Sequence, residues 1–154
     1  MRTAGTLGLL VSLAVCLTMT ACQAQPEVRI TTQEGREITF VVELADTPAK
    51  RELGLQYRRD LPADRGMIFL FPYEADQTFW MKNTPIPLDM IFINNQRQIV
   101  GIAEEAVPFS LDPRSVGRPS QFVLEINGGL SKRYGIKPGN SVRFRGIQAE
   151  SATQ

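Results

Sequence analysis

The sequence predicts a mainly β (α+β) domain: a compact, mostly antiparallel β-barrel or sandwich of about seven or eight short strands with one or two short helices. Two observations carry this prediction. Short runs alternate apolar with polar residues, and clusters of Gly, Asn, Asp and Pro separate those runs at regular intervals. The 154 residues, 43% apolar and 21% charged, are enough for one domain with a real core.

Val28 to Thr32 and Glu37 to Leu44 flank the turn Gln33-Glu34-Gly35-Arg36. In the second run Ile38, Phe40, Val42 and Leu44 alternate with Glu37, Thr39, Val41 and Glu43, the period of a half-buried hairpin. Asp46-Thr47-Pro48 then supplies a capping side chain and a proline preset for a first helical turn. Ala49 to Leu53 are good helix formers, and Gly54 stops the run. Leu61 to Gly66 is turn chemistry, whereas Met67-Ile68-Phe69-Leu70-Phe71 is unbroken apolar sequence and predicts a strand buried on both faces. Thr78 to Lys82 and Leu88 to Ile93 are expected as strands around the loop Asn83-Thr84-Pro85-Ile86-Pro87, and Asn94-Asn95 turns the chain into Gln98 to Glu104. Val107 to Ser120 carries Pro108, Pro113 and Pro119 with little periodicity and is expected as a long loop. Gln121 to Asn127 alternates Phe122, Leu124 and Ile126 against Gln121, Val123, Glu125 and Asn127. Gly128-Gly129 opens a short helical turn that ends at Gly135. Lys137-Pro138-Gly139-Asn140 is a tight turn, and Ser141 to Ile147 is the last strand.

The domain, expected over 27–148, follows an address label. Residues 1–21 hold one charge, Arg2, an apolar body from Leu7 to Val15 and small residues at the exit, the layout of a signal peptide. A transmembrane anchor is the alternative, but Gly, Ser and Thr dilute the run and no basic residues follow it. The exit Met19-Thr20-Ala21-Cys22 resembles the lipobox of bacterial lipoproteins, in which cleavage precedes a cysteine that carries diacylglycerol; Met19 stands where Leu is usual. Cleavage there also removes Cys16, so Cys22 keeps no disulfide partner within the chain. Gln23 resembles outer-membrane sorting. The expected arrangement is an exported chain, lipid-anchored through Cys22 on the periplasmic side of the envelope at the outer membrane, with 22–26 as tether and 149–154 as a disordered tail. Cleavage after Ala24 instead would leave a soluble periplasmic protein.

Charge and composition exclude several functions. Lys plus Arg number 17 against 16 Asp plus Glu, so nucleic acid is not an expected partner. With no His there is no imidazole base or ligand, two Cys cannot build a Cys-only zinc site, and no metal or cofactor is implied. Nucleophile motifs of the Gly-x-Ser-x-Gly and Ser-x-x-Lys types are missing as well.

The segment Phe79-Trp80-Met81-Lys82-Asn83-Thr84-Pro85-Ile86-Pro87-Leu88-Asp89-Met90-Ile91-Phe92-Ile93 resembles the signature of the family known as domain of unknown function 192. Thr47-Pro48 with Arg51 and Gly54-Leu55, Leu61-Pro62 with Gly66 to Phe69, Val123 to Asn127 and Gly135 to Gly139 match as well, so the resemblance covers nearly all of Val41 to Phe144. It implies a small β-rich domain of bacteria and archaea, often behind an export signal, with no assigned activity.

The candidate site is drawn from the residues themselves. In a strand over 78–82, Trp80 and Lys82 share one face and Phe79 and Met81 the other. An aromatic plane beside a cation and an amide suits a sugar or another polar ring; the alternative is a core Trp80 with Lys82 lying across it. Asn83 and Thr84 either face a ligand or belong to a rigid corner. Asp89 is either a reacting carboxylate or an acceptor for backbone N–H groups. Glu125 and Asn127 share a strand face, and apolar neighbours would raise the Glu125 pKa and suit it to proton transfer. An ion pair of Glu125 with Arg51 or Lys82 is the competing arrangement, with Arg51 itself expected as a solvated charge on the short helix. Should Asp89 and Glu125 converge, they would form the paired carboxylates of a glycoside-cleaving site. The expected function is binding of a small polar, saccharide-like ligand by a membrane-tethered domain. An envelope hydrolase using Asp89 and Glu125 is one alternative. A non-catalytic assembly factor whose 107–120 loop meets an unidentified protein is another.

Overall fold

The computed structural model describes residues 25–148; the signal segment, Cys22 and the tail 149–154 lie outside the described residues. Nine elements follow in order: β1 (Glu27–Thr31), β2 (Glu37–Ala45), α1 (Pro48–Leu53), β3 (Arg65–Ala75), β4 (Leu88–Ile93), β5 (Ile99–Ala106), β6 (Ser120–Asn127), α2 (Leu130–Tyr134) and β7 (Ser141–Arg145). All seven strands join one sheet in the order β5-β4-β6-β3-β2-β1-β7. It curls into a half-barrel whose edges meet at one end: Gln98 bridges Ser141, and the N–H of Gly139 donates to the Ile99 carbonyl at 2.8 Å.

Local signals place the elements. Thr47 caps α1 by accepting from the Lys50 N–H, Pro48 opens the helix, and Gly54 ends it at φ 50°. Every strand pair is antiparallel except β2–β3, where Val41 to Ala45 run parallel to Arg65 to Phe69. A parallel pair needs a long crossover, and residues 46–64 supply it by carrying α1 and a loop over one face of the sheet. The expectation for 67–71 falls short at both ends, because β3 runs on past Pro72 through an irregularity between Leu70 and Ala75. The strand expected over 78–82 is a correction: Phe79 and Arg114 form only an isolated bridge, with one more bond from the Met81 N–H to the Ser110 carbonyl. Its alternation survives without a ladder, since Met81 is buried while Trp80 and Lys82 are exposed.

Two apolar layers result. Inside the curl lie Val28, Ile30, Phe40, Ile68, Ile91 and Leu124 with their neighbours; the outer face of β3, β4 and β6 buries Met67, Phe69, Met90, Phe92 and Val123 under the crossover and the loops. The guanidinium carbon of Arg97 lies 4.2 Å from the centre of the Phe122 ring and 3.9 Å from that of Phe144, stacking on side chains of the inner layer. The 107–119 loop seats Val116 directly on Gly101 of β5, where a Cβ would stand 2.5 Å from the valine, so only glycine permits that approach.

Candidate functional site

The second layer is incomplete. Between the crossover and the Phe79–Lys82 segment a cavity of about 270 Å³ opens, with Glu125 at its floor and Trp80 and Lys82 at its mouth. Phe69, Phe71 and Phe79 line its walls, packed edge to face at 4.9 and 6.3 Å between ring centres. Trp80 is 54% exposed, and the Lys82 ammonium sits 5.4 Å from the centre of the indole. The indole is therefore more than half exposed at the edge of the cavity and is not part of the buried core.

Glu125 reaches the floor because β6 runs between β3 and β4, with Met67 and Met90 as its cross-strand partners. It is only 4% exposed. Among the described residues no group donates to its carboxyl and no cation pairs with it, so the expected ion pair with Arg51 or Lys82 does not form. Burial without compensation pushes the Glu125 carboxyl up to about 8. The acid at the floor is thus neutral at ordinary pH and can donate a hydrogen bond.

Arg51 corrects another expectation. It is no free surface charge: its guanidinium donates to the Leu70 carbonyl at 2.8 Å and the Asp46 carbonyl at 3.0 Å, lies 5.3 Å from the centre of the Phe71 ring, and forms part of the cavity wall. Thr84 also reaches the cavity, its hydroxyl donating to the Lys82 carbonyl at 3.1 Å. Arg51, Trp80, Lys82, Thr84 and Glu125 are brought together.

Asn83, Asp89 and Asn127 are not. Asn83 holds the corner by donating to Gln56 at 3.0 Å and to the Tyr57 hydroxyl at 2.9 Å, with its own φ at 53°. The Asn127 amide donates to the Leu61 carbonyl and pins the end of the crossover to β6. Asp89 is completely buried, and its carboxylate accepts from the backbone N–H groups of Glu105, Gly129 and Ser131 at 2.8 to 2.9 Å. In register Asp89 faces Ile126 while Glu125 faces Met90. Successive residues point to opposite sides of a sheet, so the two carboxyls lie on opposite faces and make no pair.

The walls left no mark of their own in the sequence. Phe69 and Phe71 read as ordinary core, and Gly54 and Gln56 lie in a crossover whose path depends on the unforeseen parallel pairing. A Cβ at Gly54 would come 3.1 Å from the Phe69 ring, so the glycine lets the crossover close against that wall.

Residues 29–144 match the model of the DUF192 family, described as Uncharacterized ACR. None of the curated proteins matches the chain. Among solved structures, a protein of Sinorhizobium meliloti 1021 named as a candidate transcription regulator is 42% identical, with a TM-score of 0.77 over 81% of this chain and 97% of that one. A protein of unknown function from Novosphingobium aromaticivorans DSM 12444 is 45% identical, with a TM-score of 0.73 over 76% of this chain and 83% of that one.

Proposed function

This chain belongs to the DUF192 family, and on that premise we propose that it is a tethered binding domain that takes a small polar, saccharide-like ligand into the cavity beneath Trp80. The observation that carries the reading is a buried carboxyl, unpartnered among the described residues, facing a hollow with an exposed indole at its mouth. A carboxyl that no protein group hydrogen-bonds, at the floor of an open hollow, is available to a ligand that enters it. The indole face suits a sugar ring, and Lys82 and Arg51 supply donors at its edge.

Trp80→Ala tests the reading because the side chain is more than half exposed. Its removal should change folding stability by about 1 kcal/mol or less, while NMR titrations with glucose, N-acetylglucosamine and chitobiose lose the shifts seen in the unsubstituted protein. Equal loss of folding and binding would make Trp80 a packing residue and sink the proposal.

Lipidation at Cys22, on the periplasmic side of the outer membrane, is the other half of the reading. It rests on Ala21-Cys22 closing an apolar leader. Mass spectrometry of the mature amino terminus should find acyl chains on Cys22; an unmodified start beyond that residue would refute the anchor. The regulator description of the Sinorhizobium protein is not carried over, because 17 basic and 16 acidic side chains offer no charge excess for DNA. A protein partner at the 107–120 loop is a second reading, favoured by the exposed Val107, Phe109 and Leu111.

A further inference from the structure

The floor and the mouth of the cavity ask different things of a ligand. At the floor, the neutral Glu125 carboxyl, to which none of the described residues donates a hydrogen bond, lines the same hollow as the carbon of Phe69, Phe79 and Leu55. A carbonyl oxygen answers that donor best, and the apolar wall suits a methyl group attached to the same carbonyl carbon. At the mouth, the Lys82 ammonium lies over one face of the Trp80 indole, 5.4 Å from the ring centre, and leaves the opposite face for a ligand ring.

We infer that the ligand is an acetamido sugar, whose acetyl carbonyl accepts from Glu125, whose methyl lies against Phe69 and Phe79, and whose ring stacks on Trp80. The inference rests on the saccharide reading and narrows it to N-acetylated hexosamines. The charged groups that share the cavity with Glu125 are Arg51 and Glu52 from α1 and Lys82 from the corner, while β3 and β4 place the uncharged Met67 and Met90 at its sides. Ionisation of Glu125 removes the O–H and sets a charged oxygen against the acetyl carbonyl, so binding weakens as pH rises through about 8.

The test titrates the full chain with N-acetylglucosamine and with glucose, read by the emission of Trp80, the one tryptophan, and by calorimetry. At about pH 6 N-acetylglucosamine should bind at least about tenfold more tightly than glucose, and by about pH 9 that advantage should fall to about a tenth of its value. Glu125→Met keeps the bulk and removes the O–H, and it should level the two sugars while urea unfolding stays cooperative. Equal affinity of the unsubstituted protein for both sugars would overturn the acetamido inference and leave the saccharide reading standing. Binding of neither would remove both, and a Glu125→Met protein that kept the preference would overturn the role given to Glu125.

Discussion

Glu125→Gln should make the protein more stable above about pH 8, by an amount that vanishes in acid. The folded carboxyl titrates at about 8 against an ordinary 4.5, with desolvation as the cause. Between those values the folded state holds a proton that the unfolded chain has released, so stability falls as pH rises through the window and levels off above it. At about 1.4 kcal/mol per pH unit, the whole window is worth on the order of 5 kcal/mol, a large share of the stability of a small domain. Glutamine has the same shape and no proton to lose, so its stability lacks this slope. Urea unfolding of both proteins from about pH 5 to about pH 9 isolates the effect, because every other titrating group is common to the two. Parallel curves across that range would mean that Glu125 is solvated or paired. A residue that weakens its own fold at this cost fits the binding role proposed for the cavity.

Asp89→Ala should have the opposite character: loss of the fold with no dependence on ligand. α2 begins at Gly129, which has φ 83° and no side chain to cap the helix. Asp89 does the capping from β4, accepting from the Gly129 and Ser131 N–H groups and also from that of Glu105 on β5. One carboxylate thus ties β4, β5 and the start of α2 together. Alanine leaves the buried N–H of Ser131 and the part-buried N–H groups of Gly129 and Glu105 without their acceptor, a loss on the order of 3 kcal/mol and a large share of the stability of a small domain. Asp89→Asn is the milder case. Its oxygen can still serve two donors, but its amide faces the third, and about 2 kcal/mol should be lost. Thermal unfolding followed by circular dichroism checks both. An Asp89→Ala protein of unchanged melting temperature would show that the carboxylate is not structural and would reopen the paired-carboxylate chemistry that the sheet faces now argue against.

The difference between these two acids marks how far the sequence could be read. Alternation identified most strands, because which residues share a face follows from the period alone. Thr47, Pro48 and Gly54 announced α1, and Gly128-Gly129 with Gly135 announced α2, since caps and stops are local. What alternation cannot report is what covers the second face. Val123 and Glu125 alternate with the inward set of their strand, and it is the crossover from β2 to β3 together with the loops that buries them. That crossover exists because β2 and β3 pair in parallel, a non-local choice that shows in the sequence only as the unbroken apolar run 67–71, which names burial on both faces but no partner strand. Arg51 was misplaced for the same reason: its partners, the Leu70 carbonyl and the Phe71 ring, belong to a strand that the helix reaches only through that pairing. Asp89 and Glu125 could be named as candidates but not separated, because register decides faces and sequence does not print register.

The proposed binding role depends on a neutral acid at the cavity floor that can donate a hydrogen bond. Carbon-13 NMR of the Glu125 side-chain carboxyl, followed across pH in the folded protein, measures this most directly. A midpoint near 8 is expected; a midpoint near the ordinary 4.5 would put an anion at the floor and leave the cavity without its donor.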